Sequence, residues 1–378
     1  LSRLVSDTVM PPNLAFQLMG WMSLPPSAIL RGRSSEMEGA MTVAFIGIDL
    51  AKNVFQLHGV TSEGQPVLKR RVRREGLLAE LAAVAPCKIG IEACTGAFFW
   101  QREFERLGHT VKVIAPQYVK PFVKHQKNDR NDAEAICTAL MQPNMKFVPP
   151  KSELQQDIQA LHRARRRLVN HRTALVSQMR GLLLDRGVPI ALSIGRARRA
   201  IPEIIADTSN VLTAMAREII AELFDFMGQL DERISAFDRR IDAVFKSNAD
   251  CRRLARICGV GPKTATAVVA AVGDGAAFKN GRHMAAWMGL VPRQRSSGDK
   301  RVLMGISKRG DKHLRCLLVH GARSVVRVSQ RKTDPFSQWV NALRERRGMN
   351  RAIVAVANKN ARIIWAMLNR NEEFHAHA

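Results

Sequence analysis

The hydrophobic period of this chain changes at Pro149-Pro150, and that change limits the folds open to it. Before the two prolines the apolar residues come in short runs, at 43–48, 54–60, 66–72, 88–92 and 110–115. Runs of that length bounded by turn residues read as strands, while 77–84 and 98–107 carry helical spacing. A leading antiparallel meander, then strand–helix alternation, predicts an RNase H-like α/β layout in the order β-β-β-α-β-α-β-α. A Rossmann domain is disfavoured because Asp49-Leu50-Ala51-Lys52 offers no Gly-rich loop after the first strand.

After the prolines the spacing becomes helical. Leu154, Ile158, Leu161, Leu168, Leu175, Met179, Leu182 and Leu183 mark one long helix, and Ile219, Leu223, Phe226, Leu230, Ile234, Phe237 and Ile241 mark a second over about 211–245. Together they predict a helical hairpin or coiled-coil arm. Arg163, Arg165, Arg166 and Arg167 crowd four cations into five positions, with Arg172 and Arg180 further on. A solvated face needs fewer, so a nucleic-acid contact is expected there. The third region holds a helix end, the turn Gly259-Val260-Gly261-Pro262-Lys263, and a helix of small residues. That is a helix-hairpin-helix pattern, whose glycines admit a backbone and whose N–H groups can bind a phosphate. A plain helical turn has the same look.

Charge narrows the function. Lys and Arg total 59 against 33 acids, a formal net charge of +26. Such a balance points to a nucleic acid more than to an anionic membrane. Against that background four acids stand out: Asp49 and Glu92 at the ends of two apolar runs, and Asp129 and Asp132 three apart at a helix start. Strand-end acids line the open end of an α/β sheet, and the four together suit one or two Mg²⁺ ions acting on a phosphodiester. The alternative is that they are surface acids capping helices.

The segment from Gly289 to Arg315 is the second candidate. Ser296, Ser297 and Ser307 lie beside glycines on a loop dense in cations, among them Arg293, Arg295, Lys300, Arg301, Lys308 and Arg309. By chemistry alone, phosphate hydrogen bonding is the stronger role for these serines, and a metal-assisted nucleophile the sharper one. No Gly-x-Ser-x-Gly elbow supports a Ser-His-Asp hydrolase. The six cysteines form no zinc-type pair and read as reduced packing residues, and the histidines read as packing or surface groups. Residues 1–40, with Pro11-Pro12 and Pro25-Pro26, read as disordered or as an upstream extension from a misplaced start codon. No segment approaches a membrane span.

From Met41 to about residue 370 the chain resembles the IS-one-ten family of insertion-sequence transposases, the DEDD or bridge-RNA-guided recombinases. The resemblance rests on Ile46-Gly-Ile-Asp49, Ile91-Glu92-Ala-Cys-Thr-Gly96, Lys127-Asn-Asp129-Arg-Asn-Asp132-Ala, Ile257-Cys-Gly-Val-Gly261, Gly289-Leu-Val-Pro292, Ser296-Ser-Gly298 and Gly305-Ile-Ser-Lys-Arg-Gly310. It implies a RuvC-like domain over 41–150, a coiled-coil linker over 151–250, and a C-terminal transposase domain over 251–370 with a tail to 378. It implies that Asp49, Glu92, Asp129 and Asp132 are the metal-binding tetrad and that Ser297, with Ser296 as neighbour, forms a phosphoserine link to DNA. Ser307 matches a position where relatives can carry Thr, which suits a phosphate contact. The implied partners are donor and target DNA, a non-coding guide RNA and further copies of the chain in a dimer or tetramer. The implied setting is the bacterial cytoplasm, at the nucleoid. The chain departs from the family over residues 1–40. Two rivals remain on sequence alone: a metal-only nuclease of the junction-resolvase type, and a non-enzymatic packaging protein.

Overall fold

The computed structural model describes residues 42–124, 129–298 and 300–374. The extension expected over 1–40 lies outside them. Strands β1 (Phe45–Asp49), β2 (Val54–Val60) and β3 (Pro66–Arg73) form the expected meander. Then come α1 (Leu77–Ala82), β4 (Lys88–Glu92), α2 (Ala97–Arg106), β5 (Thr110–Ile114), a short α3 (Pro116–Val119), α4 (Asp129–Met141) and a two-residue β6 (Phe147–Val148). The six strands make one sheet in the order β3-β2-β1-β4-β5-β6, with β1, β4 and β5 mutually parallel. This mixed α/β unit is consistent with the expected RNase H-like layout.

The two faces of the sheet follow from alternation along β1 and β4. Ile46, Ile48, Ile89 and Ile91 are buried with Phe55, Trp100 and Phe104 beneath α1 and α2. Trp100 meets Phe55 edge-on at 5.2 Å and stacks on Phe104 at 5.5 Å. Gly47 and Gly90 face the other way, where α4 lies so close that a Cβ on Gly47 would stand 2.2 Å from the Ala133 carbonyl oxygen.

Helix α5 (Glu153–Leu184) starts at a reciprocal cap in which Ser152 Oγ accepts from Gln155 N and Gln155 Oε1 accepts from Ser152 N. It runs antiparallel to α7 (Ala214–Ser247), with Arg165 paired to Asp238 and Arg172 to Asp231, and α6 (Ile194–Ala206) packs at the far end. The seam on α7 is Ala216, Ile220, Met227, Leu230, Ile234 and Ile241. Ile219 and Phe226, expected in that seam, are instead 44% and 45% exposed. Each is one residue, about 100°, round the helix from the seam.

The remainder is mostly helical: α8 (Ala249–Leu254), α9 (Pro262–Val272), α10 (Gly281–Trp287), α11 (Lys312–Val328), α12 (Pro335–Arg347) and α13 (Met349–Asn369). These share one core centred on Leu254, Val268, Met284, Leu318, Val356 and Ile364. Gln155 and Gln159 of α5 donate to the Val269 and Ala270 carbonyls of α9, and His162 Nε2 lies 3.0 Å from Thr266 Oγ1. The serine-bearing segment, expected as a loop, is a two-stranded hairpin of β7 (Pro292–Ser297) and β8 (Lys300–Ile306). The sequence Gly298-Asp299 between two paired residues was the signal for it. No described helix is long and apolar enough to cross a membrane.

Candidate functional site

Each strand-end acid follows a glycine by two residues: Gly47-Ile48-Asp49 and Gly90-Ile91-Glu92. Residues two apart on a strand share a face. The glycines therefore let α4 settle onto the sheet, and the acids emerge on that same face, beside its first turn. The parallel register pairs Ile48 with Ile91, which sets Asp49 and Glu92 at the ends of adjacent strands. On α4, Ala133, Ile136, Cys137 and Leu140 are buried, and Asp132 stands one turn before Ile136. Asp129 is the first residue of the helix.

Electrostatics report the same convergence. Burial and then the charge of Asp132 raise the Glu92 carboxyl above its ordinary value. Burial, followed by the charges of Glu92 and Asp49, raises the Cys94 thiol. Among the described side chains, which do not include that of Asp129, no group of three or more His, Cys, Asp or Glu is poised to hold an ion. The donor set is nonetheless all carboxylate, the hard-oxygen chemistry that a divalent cation such as Mg²⁺ takes. Like charges crowded together are relieved by such a cation.

The hairpin forms a second cluster. Arg293, Arg295 and Ser297 alternate along β7 and share a face, and Ser297 pairs with Lys300 across the hairpin end. Ser296 is on the opposite face, where its Oγ accepts from Gln294 Nε2 at 2.7 Å, and its backbone partner is Arg301. Ser297 is exposed. Arg293, Arg295, Ser307 and Arg309 line a cleft of about 490 Å³. Ser307 N donates to the Val291 carbonyl, and Lys308, at φ +53°, donates to that of Gly289. A Cβ on Gly289 would stand 2.1 Å from the Arg309 oxygen, and one on Gly310 1.8 Å from the Trp287 oxygen. These glycines thus lock the base of the hairpin to the end of α10.

Other expected nucleic-acid residues are placed differently. Arg165 makes a two-point contact with Asp238, at 2.5 and 3.1 Å, and Lys263 reaches the same carboxylate at 3.1 Å. Both join α5, α7 and α9 rather than face solvent as free cations. Burial raises the Asp238 carboxyl, but Arg165 and Lys263 outweigh it, leaving it below its ordinary value. Arg163 and Arg167 are exposed, and Arg166 is half-buried. Gly259, at φ +85°, packs against α11: a Cβ there would stand 2.8 Å from the Gly321 oxygen. Its freedom serves that helix contact. Gly261 precedes α9 with open space about its Cα. Of the six cysteines, Cys87, Cys137 and Cys251 are buried as expected of packing residues, while Cys94, Cys258 and Cys316 are exposed.

Two regions of the chain match families of known proteins. A family model described as Transposase, for DEDD transposases of the IS110 type, matches residues 46–187. A second, described as Transposase IS116/IS110/IS902 family, matches residues 251–338. The chain is 47% identical over 332 residues to a probable family 20 transposase of Pseudomonas aeruginosa, covering 87% of this chain and 98% of that protein. It is 46% identical over 336 residues to the transposase for insertion sequence element IS1111A of Coxiella burnetii, covering 89% and 92%. A pilin gene-inverting protein of Moraxella lacunata is 26% identical over 351 residues, covering 88% and 98%.

Proposed function

The chain belongs to the IS116/IS110/IS902 family of transposases, DNA-cutting and DNA-joining enzymes, and from that premise we propose that it exchanges DNA strands through a covalent link to Ser297. The observation that carries this reading is the placement of Ser297, exposed at the hairpin end on the face shared by Arg293 and Arg295. Ser296, turned to the other face and engaged by Gln294, is the poorer nucleophile.

In this reading Asp49, Glu92, Asp129 and Asp132 hold Mg²⁺, which when bound supplies Lewis-acid polarisation of the scissile phosphate. Ser297 Oγ attacks phosphorus, forming an Oγ–P bond as a P–O bond of the DNA strand breaks. The freed sugar oxygen is protonated, and the serine proton leaves to solvent. Arg293 and Arg295 offset the charge that builds on the phosphoryl oxygens. One phosphodiester replaces another, so rejoining needs no external energy source. The α5–α7 pair serves as a coiled-coil linker between a RuvC-like domain and a transposase domain, and the α8–α9 turn as a helix-hairpin-helix. A guide RNA supplies sequence reading while the cationic chain holds backbones. Copies of the chain associate as a dimer or tetramer through the exposed Met215, Ile219 and Phe226 on α7. The Moraxella relative named for gene inversion supports recombination as the outcome.

The test is a denaturation-resistant protein–DNA adduct, formed with Mg²⁺ and the element's non-coding RNA on DNA carrying the element's ends. The unaltered chain should form it and Ser297→Ala should not. An adduct that persists in Ser297→Ala removes this serine from the mechanism. Strand cutting without any adduct in either protein favours a metal-only nuclease.

A further inference from the structure

Asp49 belongs to a row of residues that crosses three strands. It pairs with Gln56 of β2, and Gln56 pairs with Arg71 of β3. Paired residues share a face, and neighbouring strands lie about 4.8 Å apart, so the Arg71 backbone is about 10 Å from that of Asp49 on the acids' own side of the sheet. One row back, Lys69 pairs with His58, which pairs with Gly47. One row forward, Arg73 pairs with Val54. Lys69, Arg71 and Arg73 therefore form a line along the edge strand, on the face occupied by α4 and the acid cluster.

The two faces of β3 treat their cations differently. On the far face Arg70 Nε is 3.5 Å from Glu80 Oε1. Next along, Arg74 lies 5.0 Å over the Trp100 ring and donates to the Lys52 carbonyl. On the near face Lys69, Arg71 and Arg73 are all exposed, and among the described residues none is in an ion pair. Glu134, whose charge Lys69 feels, is held by Lys124 at 2.7 Å. Side chains two apart on a strand repeat about every 6.6 Å, close to the interval between successive phosphates of one nucleic-acid strand. Cations on an edge strand also discourage unwanted strand pairing. That purpose is met equally from either face and leaves the asymmetry unexplained.

We propose that Lys69, Arg71 and Arg73 are a phosphate track that guides a DNA strand into the acid cluster, with Arg71 gripping a phosphate beside the one to be cut. The proposal rests on the strand-exchange reading for its substrate. Its test is binding, which needs neither metal nor Ser297, so the two can fail separately.

Two double variants of the full chain remove the same charge from opposite faces of β3 and the turn that follows it: Arg71→Gln with Arg73→Gln, and Arg70→Gln with Arg74→Gln. Binding of a labelled DNA duplex of arbitrary sequence is measured across a salt series without metal. Each phosphate contact contributes about 0.9 to the slope of log affinity against log salt. The near-face double should lower that slope by about 2, and the far-face double by much less. Arg71→Lys with Arg73→Lys should restore the slope, which separates loss of charge from loss of folding. Equal losses from the two faces, an unchanged slope in the near-face double, or no recovery with lysine overturns the track. A normal track with no adduct in the unaltered chain leaves the track standing and rejects the chemistry.

Discussion

Gly47 meets Cys137 backbone to side: a Cβ built on Gly47 would stand 2.4 Å from the Cys137 nitrogen and 2.8 Å from its Cβ. This contact sets how closely α4 approaches the sheet, and so where Asp132 stands relative to Asp49 and Glu92. Gly47→Ala should push the helix outward and lower stability by about 1–3 kcal/mol, in the range of an overpacked core. Metal-dependent cutting should fall further than stability does. Denaturant melts beside cleavage assays decide it: full cutting at unchanged stability would show that the helix is not seated as described.

Glu92 bears the cost of the crowded acids. Burial first, and Asp132 second, raise its pKa. A carboxyl raised in the folded state loses stability as pH climbs from its unfolded value through the folded one, so near neutrality its ionised form weakens the fold. Without metal, Glu92→Gln should melt at a higher temperature than the unaltered chain. With Mg²⁺ at about 100 times its dissociation constant, the unaltered chain should gain about 2.7 kcal/mol, and the variant much less. Equal gains in both proteins would place the ion elsewhere.

The glycine–acid spacing shows what could be read from the chain in advance. Short apolar runs revealed β1 to β5: β1 and β4 bury isoleucines on one face, β2 adds Phe55 and Leu57, β5 adds Val111 and Val113, and Leu68 and Val72 of β3 pack against them. Asp49 and Glu92 were visible as the polar ends of those runs. Helical period found α5 and α7, but it assigned Ile219 and Phe226 to the seam, since a long helix with apolar residues on two faces does not reveal which one is covered. The hairpin was hidden by its exposed polar strand, Pro292–Ser297, which has no buried face to generate alternation. Arg165 and Lys263 resembled free cations until Asp238, distant in sequence, took both. The line of Lys69, Arg71 and Arg73 was present as alternate cations in a strand, though its meaning depended on sheet register.

Acid should loosen the join between α5 and α9. Burial first, then His313 and the cations Arg165 and Lys263, push His162 down to about 4, and its Nε2 is 3.0 Å from Thr266 Oγ1. With a folded pKa below the unfolded one, stability is full above about 6.5 and falls as pH drops toward 4, for a loss of about 3 kcal/mol. His162→Gln, which keeps a hydrogen-bonding group there, should flatten stability between pH 7 and 4.5 in urea titrations. An equally steep loss in the variant would assign the acid sensitivity to other groups.

Association through the arm makes a separate expectation. Ile219→Asp with Phe226→Asp changes two exposed positions and no seam residue. The double variant should lower the assembly mass in light scattering, with the melting temperature of the monomer held. An unchanged mass would place the interface on another surface.

The helix pair is also a ruler. Helix α5 has 32 residues, which at about 1.5 Å per residue is about 48 Å, or about fourteen base pairs of duplex at ~3.4 Å each. Its near end is tied to α9 by Gln155, Gln159 and His162, while its far end packs with α6. Whatever grips the far end is held more than a full DNA turn from the near one. The spacing at which two DNA sites can be joined is then a length written into a rigid helix, and adding or deleting whole turns of α5 and α7 should change it in steps.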